Sequence, residues 1–91
     1  MPQTPGRPRE REVTLDALAR AVRARRQALG LTQEEVADLA DCSERFVYMV
    51  ERGKGTVQLS KLLDVLRVLG LGLRIAPGHG EIADAQPGDV L

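Results

Sequence analysis

Glu44 and Arg45 stand side by side, with Tyr48 and Met49 one helical turn further on. On the outward side of a helix, these four match the edges of base pairs. An arginine can bond guanine O6 and N7 with two parallel donors, and a glutamate can accept from cytosine N4. Tyrosine adds a hydroxyl and a flat ring, and a methionine thioether can touch a thymine methyl. No catalytic set competes with this one. The single His79 and the single Cys42 lie 37 positions apart, and neither has a motif around it. His79, between two glycines, lacks partner ligands at metal-binding spacing. Gly-x-Gly occurs at 53–55, 70–72 and 78–80, never followed by x-x-Gly between a strand and a helix. Glu34, Glu35 and Asp38 read as a solvated helix face. The chain therefore reads as a non-enzyme that needs no cofactor and no metal.

The elements that must carry the four side chains lie in residues 30–53, GLTQEEVADLADCSERFVYMVERG. Thr32 is a good N-cap residue for a helix opening at Gln33-Glu34-Glu35. Val36, Leu39 and Ala40 repeat at helical spacing and predict its apolar face. Asp41 and Cys42 leave only a tight turn. Ser43 can cap a second helix that sends Phe46, Val47 and Val50 inward, and Gly53 stands where a left-handed C-terminal residue is expected. Two short helices so closely joined cross steeply, as in a helix-turn-helix. That motif lays its second helix in the DNA major groove.

Arg26, Gly30-Leu31-Thr32-Gln33, Ala37, Ser43 and Glu51-Arg52-Gly53-Lys54, in this order and spacing, resemble the Xre family, the helix-turn-helix class of phage Cro and repressor proteins. The resemblance covers roughly residues 15–70. It departs at Asp41, where the family usually has glycine. Aspartate is among the few residues that tolerate left-handed backbone, so the turn should survive. The resemblance implies that Gln33 bonds a backbone phosphate, and an amide donor beside a helix N-terminus suits that role. Ser43 is placed similarly, and Lys54 can meet a phosphate as a point charge. It also implies a partly buried ion pair between Arg26 and Glu51, joining the first helix to the recognition helix.

Further elements complete the domain. Residues 1–12 hold three prolines and alternate Arg with Glu from Arg9 to Glu12, which reads as a disordered arm. Thr14 is expected to cap a first helix with the apolar row Leu15, Leu18, Ala19, Val22 and Leu29, while Arg20, Arg23 and Arg25 face outward. Leu59, Leu62, Leu63, Leu66 and Leu69 predict an amphipathic helix from about Val57 to Leu69, stopped by Gly70. Leu71, Leu73 and Ile75 then alternate with Gly72 and Arg74, the pattern of a half-buried strand. A lone strand has unsatisfied edges and is expected to pair with its copy in a second subunit. Residues 76–91 read as a flexible acidic tail. The expected fold is all-α: a compact helix-turn-helix domain over 13–75, with four to five helices and one short strand at 71–75 pairing across a dimer.

Ninety-one residues make one small domain, whose limited core is commonly supplemented by oligomerisation. With one Phe, one Tyr and no Trp, the core must be aliphatic. One cysteine excludes an internal disulfide framework, and Cys42 reads as a small core residue. No apolar run reaches membrane-spanning length and the first residues lack an apolar signal region, so a cytoplasmic protein is expected. The formal net charge of zero conceals an asymmetry: residues 1–75 balance to +3 and residues 76–91 to −3. A mildly basic body predicts modest non-specific DNA affinity, with specificity resting on base contacts and dimerisation.

These readings give a homodimeric repressor on a palindromic operator in double-stranded DNA. The Thr56-Val57-Gln58-Leu59 approach to the last helix and the Leu69-Gly70-Leu71 ending narrow the resemblance to HipB-like antitoxins. That branch implies a HipA-like kinase toxin as partner and autoregulation of the operon. The alternatives are a stand-alone Xre-family regulator and an adaptor that uses the same fold to contact proteins.

Overall fold

The computed structural model describes residues 15–53 and 56–83. Within them are four helices: α1 (Asp16–Ala28), α2 (Gln33–Ala40), α3 (Glu44–Arg52) and α4 (Leu59–Leu69). The core is aliphatic, built from Leu18, Val22, Val36, Ala37, Ala40, Val47, Val50, Leu62, Val65, Leu66 and Leu69. Among the described residues, no helix is long and apolar enough to cross a membrane.

The ends of α2 and α3 follow from local chemistry. The Thr32 hydroxyl accepts from the Glu35 N–H at 3.0 Å, and the Glu35 carboxylate accepts from the Thr32 N–H at 2.8 Å. This reciprocal capping box satisfies two otherwise orphaned donors. Asp41 is left-handed, at φ 57° and ψ 48°. That conformation lets the Cys42 N–H reach back to the Ala37 carbonyl at 3.0 Å and close the turn. Ser43 Oγ then accepts from the Phe46 N–H at 3.0 Å and opens α3. At the other end Gly53 has φ +68°, and a Cβ there would stand 3.2 Å from Ala19 Cβ. Glycine is thus favoured by the left-handed backbone, and the close passage of α1 leaves a Cβ only tight room.

Replacing Asp41 by Val should cost about 1–2 kcal/mol, the usual penalty for a left-handed L-residue lacking a short polar side chain. Asp41→Gly should cost nothing. Thermal unfolding of the two variants checks the order; equal melting temperatures would contradict it.

Several expectations about which residues face inward need correction. In α2 the buried residues are Val36, Ala37 and Ala40, while Leu39 is 65% exposed. The two alanines allow neighbouring helices to approach closely, so the buried stripe centres on them and Leu39 falls on its flank. In α4 the stripe is Leu62, Val65, Leu66 and Leu69, and Leu59 and Leu63 are exposed. The same leucine-rich pattern therefore seats about an eighth of a turn from the expected row. Leu29 lies past the end of α1 and is exposed. The N-cap of α1 is Leu15, which makes no side-chain capping bond. Thr14 and the whole 1–12 arm lie outside the described residues. α4 begins at Leu59, after an uncapped Gln58, two residues later than expected.

Among the described residues no strand is formed. Leu71 packs against the chain's own core, and its N–H closes on the Leu66 carbonyl at 2.8 Å. Leu73 and Ile75 are exposed, Ile75 by 75%. The expected single face of Leu71, Leu73 and Ile75 is thus divided in the isolated chain: its first member is spent on the fold, and the other two are left apolar and uncovered. Further on, Ile82 returns to the core. The His79 N–H donates to the Glu81 carboxylate at 2.6 Å and holds it below the usual carboxylate range.

Arg25, expected to face outward, is exposed yet donates through Nε to the Leu69 carbonyl at 2.8 Å. A cation at a helix C-terminus also suits the helix dipole, so this contact ties α1 to the end of α4. Cys42 is partly buried against the core, and burial pushes its thiol up from the usual value.

Candidate nucleic-acid interface

The two motif helices are joined from beneath by a polar network. Arg26 of α1 grips Glu51 of α3 in a fork: Nε to Oε2 at 2.6 Å and Nη2 to Oε1 at 3.0 Å. Its remaining arm, Nη1, donates to the Leu31 carbonyl at 2.9 Å. The two side chains are only 14% and 5% exposed. The hydrogen bond to Glu51 raises the Arg26 pKa further, so the guanidinium stays charged. A bidentate pair of this kind fixes direction as well as distance.

The network has a third member that sequence reasoning missed. Gln33 Nε2 donates to Glu51 Oε1 at 3.1 Å. The first residue of α2 is therefore held by the buried carboxylate of α3, which is itself held by α1. No short-range pattern announces a bond across 18 positions.

Above this support, Gln33, Glu44, Arg45 and Tyr48 line one open notch. Glu44 and Arg45 occupy the first turn of α3 and are exposed; Tyr48 follows one turn on. Met49 is half-buried and does not line this notch. Ser43 is exposed, and because its Oγ accepts the capping bond, its hydroxyl proton remains available to an acceptor. Lys54 lies outside the described residues. Among those described, no group of His, Cys, Asp and Glu could hold a metal ion.

Tyr48 also walls a second notch, shared with Arg23, Arg26, Gln33, Glu51 and Arg52. The Arg52 guanidinium lies 5.6 Å from the centre of the Tyr48 ring and donates to its hydroxyl at 3.2 Å. Sequence reasoning missed Arg23 and Arg52 as members of this face. The i, i+4 spacing of Tyr48 and Arg52 was the available signal. Arg23 carried none, because it arrives from α1.

The helix-turn-helix pattern named HTH_3 matches residues 22–75, which span the end of α1, both motif helices and α4. The chain belongs to the HTH_3 family. Members are DNA-binding transcriptional regulators, and such regulators are not enzymes. The uncharacterized HTH-type transcriptional regulator y4mF of Sinorhizobium fredii is 42% identical over 59 residues, which cover 64% of this chain and 78% of y4mF. Two solved structures share the fold. A chain of the HipA–HipB–O2–O3 complex superposes with a TM-score of 0.64 at 19% identity, covering 87% of this chain and all of that one. An HTH_3 transcriptional regulator from Vibrio cholerae superposes with a TM-score of 0.60 at 20% identity. That match takes in 67% of this chain but only 34% of the longer regulator.

Proposed function

We propose that this chain is a sequence-specific DNA-binding repressor that works as a homodimer on a palindromic operator. The observation that carries the reading is the notch of Gln33, Glu44, Arg45 and Tyr48 on the outer side of α3. In this reading Arg45 and Glu44 read base edges, with Tyr48 and Met49 adding contacts one turn on. Gln33, Ser43 and Lys54 meet phosphates and set the register of the protein on the duplex. Arg26 and Glu51 hold Gln33 and α3 in place. Two copies, paired through residues 71–75, would place their recognition helices at half-sites roughly 34 Å apart.

The narrower reading is an antitoxin that autoregulates its operon, with a HipA-like kinase as toxin. It is supported by the likeness to a chain of the HipA–HipB–O2–O3 complex along that chain's full length. A stand-alone regulator is the second reading, favoured by the relative named a transcriptional regulator. Co-purification of a kinase encoded beside this chain separates the two.

Selection from a random duplex library tests DNA reading directly. A palindromic consensus is expected; recovery of no consensus would reject sequence-specific binding. Arg45→Ala should then cost roughly 1–3 kcal/mol on the selected duplex and relax specificity. Lys54→Ala should weaken all duplexes alike and reduce the salt slope by about one. Equal losses on selected and random DNA for Arg45→Ala would remove it as a base reader.

A further inference from the structure

We propose that Arg23 and Arg52 hold a DNA backbone phosphate in the notch behind Tyr48, and that the Tyr48 hydroxyl is the third donor to it, which leaves only the Tyr48 ring to meet a base. This rests on the DNA-binding reading and specifies which part of the duplex the C-terminal half of α3 meets.

The first argument is charge. Three arginines and one glutamate line the notch. The Glu51 carboxylate is already engaged by Arg26 and Gln33 and is only 5% exposed. Arg26 is occupied by Glu51 and the Leu31 carbonyl. What reaches solvent is the pair Arg23 and Arg52, both exposed, arriving from two different helices.

The second argument is donor polarity. Because Arg52 donates into Tyr48 Oη, the hydroxyl proton points elsewhere and is left to donate. Arg52 keeps its other N–H groups. The unit therefore presents donors, and a phosphate presents acceptors alone, with the charge that makes such bonds strong. The contact over the ring fixes the guanidinium at one place, which lowers the ordering cost of binding.

The third argument is reach. Glu44 and Arg52 are the two ends of α3. At 1.5 Å per residue they stand about 12 Å apart along the axis, comparable to the roughly 12 Å width of the major groove. A helix whose first turn touches base edges thus brings its last residue level with the groove wall, where the phosphates are. A last-turn cation offsetting the helix dipole would account for Arg52 alone. It does not account for Arg23 in the same notch, or for the tie to Tyr48.

The test uses the full chain with two probes: the duplex recovered by selection and a random-sequence duplex, titrated at several salt concentrations. Arg23→Gln/Arg52→Gln should weaken both duplexes by the same factor, ten-fold or more. It should flatten the plot of log affinity against log salt by about 0.9, the value for one phosphate. Arg23→Lys/Arg52→Lys should keep the wild-type slope. Tyr48→Phe should weaken both duplexes equally. One neutral methylphosphonate linkage per half-site should weaken the wild type and leave the double glutamine variant unaffected. Should that variant fail to fold, each single glutamine variant must flatten the slope and lose its response to that linkage. Wild-type affinity and slope in the glutamine variants would overturn the proposal, as would a Tyr48→Phe loss confined to the selected duplex. If the wild-type chain binds no duplex at all, the DNA-binding reading itself fails.

Discussion

Glu51→Ala is expected to cost roughly 3–5 kcal/mol of folding stability, the range for breaking one side of a buried ion pair. The loss has three parts. Arg26 is left charged with only the Leu31 carbonyl as partner. Gln33 loses the acceptor of its side-chain amide. α1 and α3 lose the fork that ties them in direction as well as distance. For a domain of this size, each kcal/mol moves the melting temperature by roughly 4–8 °C, so a fall of at least about 12 °C is expected. Arg26→Met/Glu51→Leu should be much milder, because an apolar pair of similar volume leaves no buried charge behind. Urea or thermal unfolding of wild type, single and double variants decides this. A loss below about 1 kcal/mol for Glu51→Ala would place the pair among ordinary surface bridges. DNA affinity of the double variant should still fall, since Gln33 would no longer be anchored.

What could be read in advance divides by sequence distance. Thr32 and Ser43 as caps and Gly53 as a left-handed stop all act within three or four residues, so side-chain chemistry alone locates them, whereas the left-handed Asp41 was legible from the glycine usual there in the resembling family. The apolar stripes were harder. Leu39 against Ala37, and Leu59 and Leu63 against Val65, are choices between neighbours on one helix. The partner helices decide between them, by how closely they approach. Arg26 and Glu51, 25 positions apart, were legible only through resemblance to a family; their link to Gln33 was not legible at all. Arg23 is the same case on the candidate site. Its residue type says it is a cation, but only the packing of α1 beside α3 brings it to Tyr48.

Leu73→Asp is expected to abolish dimerisation and reduce operator affinity by about 10²- to 10⁴-fold, the range by which linked sites exceed single ones. Leu73 and Ile75 are apolar, exposed, and follow Leu71, which is pinned to the core. Among the described residues the backbone of 72–75 makes no ladder hydrogen bond, so a segment so anchored leaves backbone groups beside uncovered apolar side chains, which another copy could satisfy on both counts. Within one chain Leu73 takes no part in the core, so a charge there costs the monomer little. In a dimer the same charge would be buried without a partner, which is expensive. The variant should therefore keep its helical circular dichroism and melting temperature at low concentration, sediment as a monomer, and bind each half-site singly. The recognition helix is untouched, so its preference among half-site sequences should survive while affinity falls. A Leu73→Asp protein that remains dimeric and binds as tightly as wild type would move the dimer contact elsewhere. The exposed Leu59 and Leu63 of α4 would then be the next residues to change.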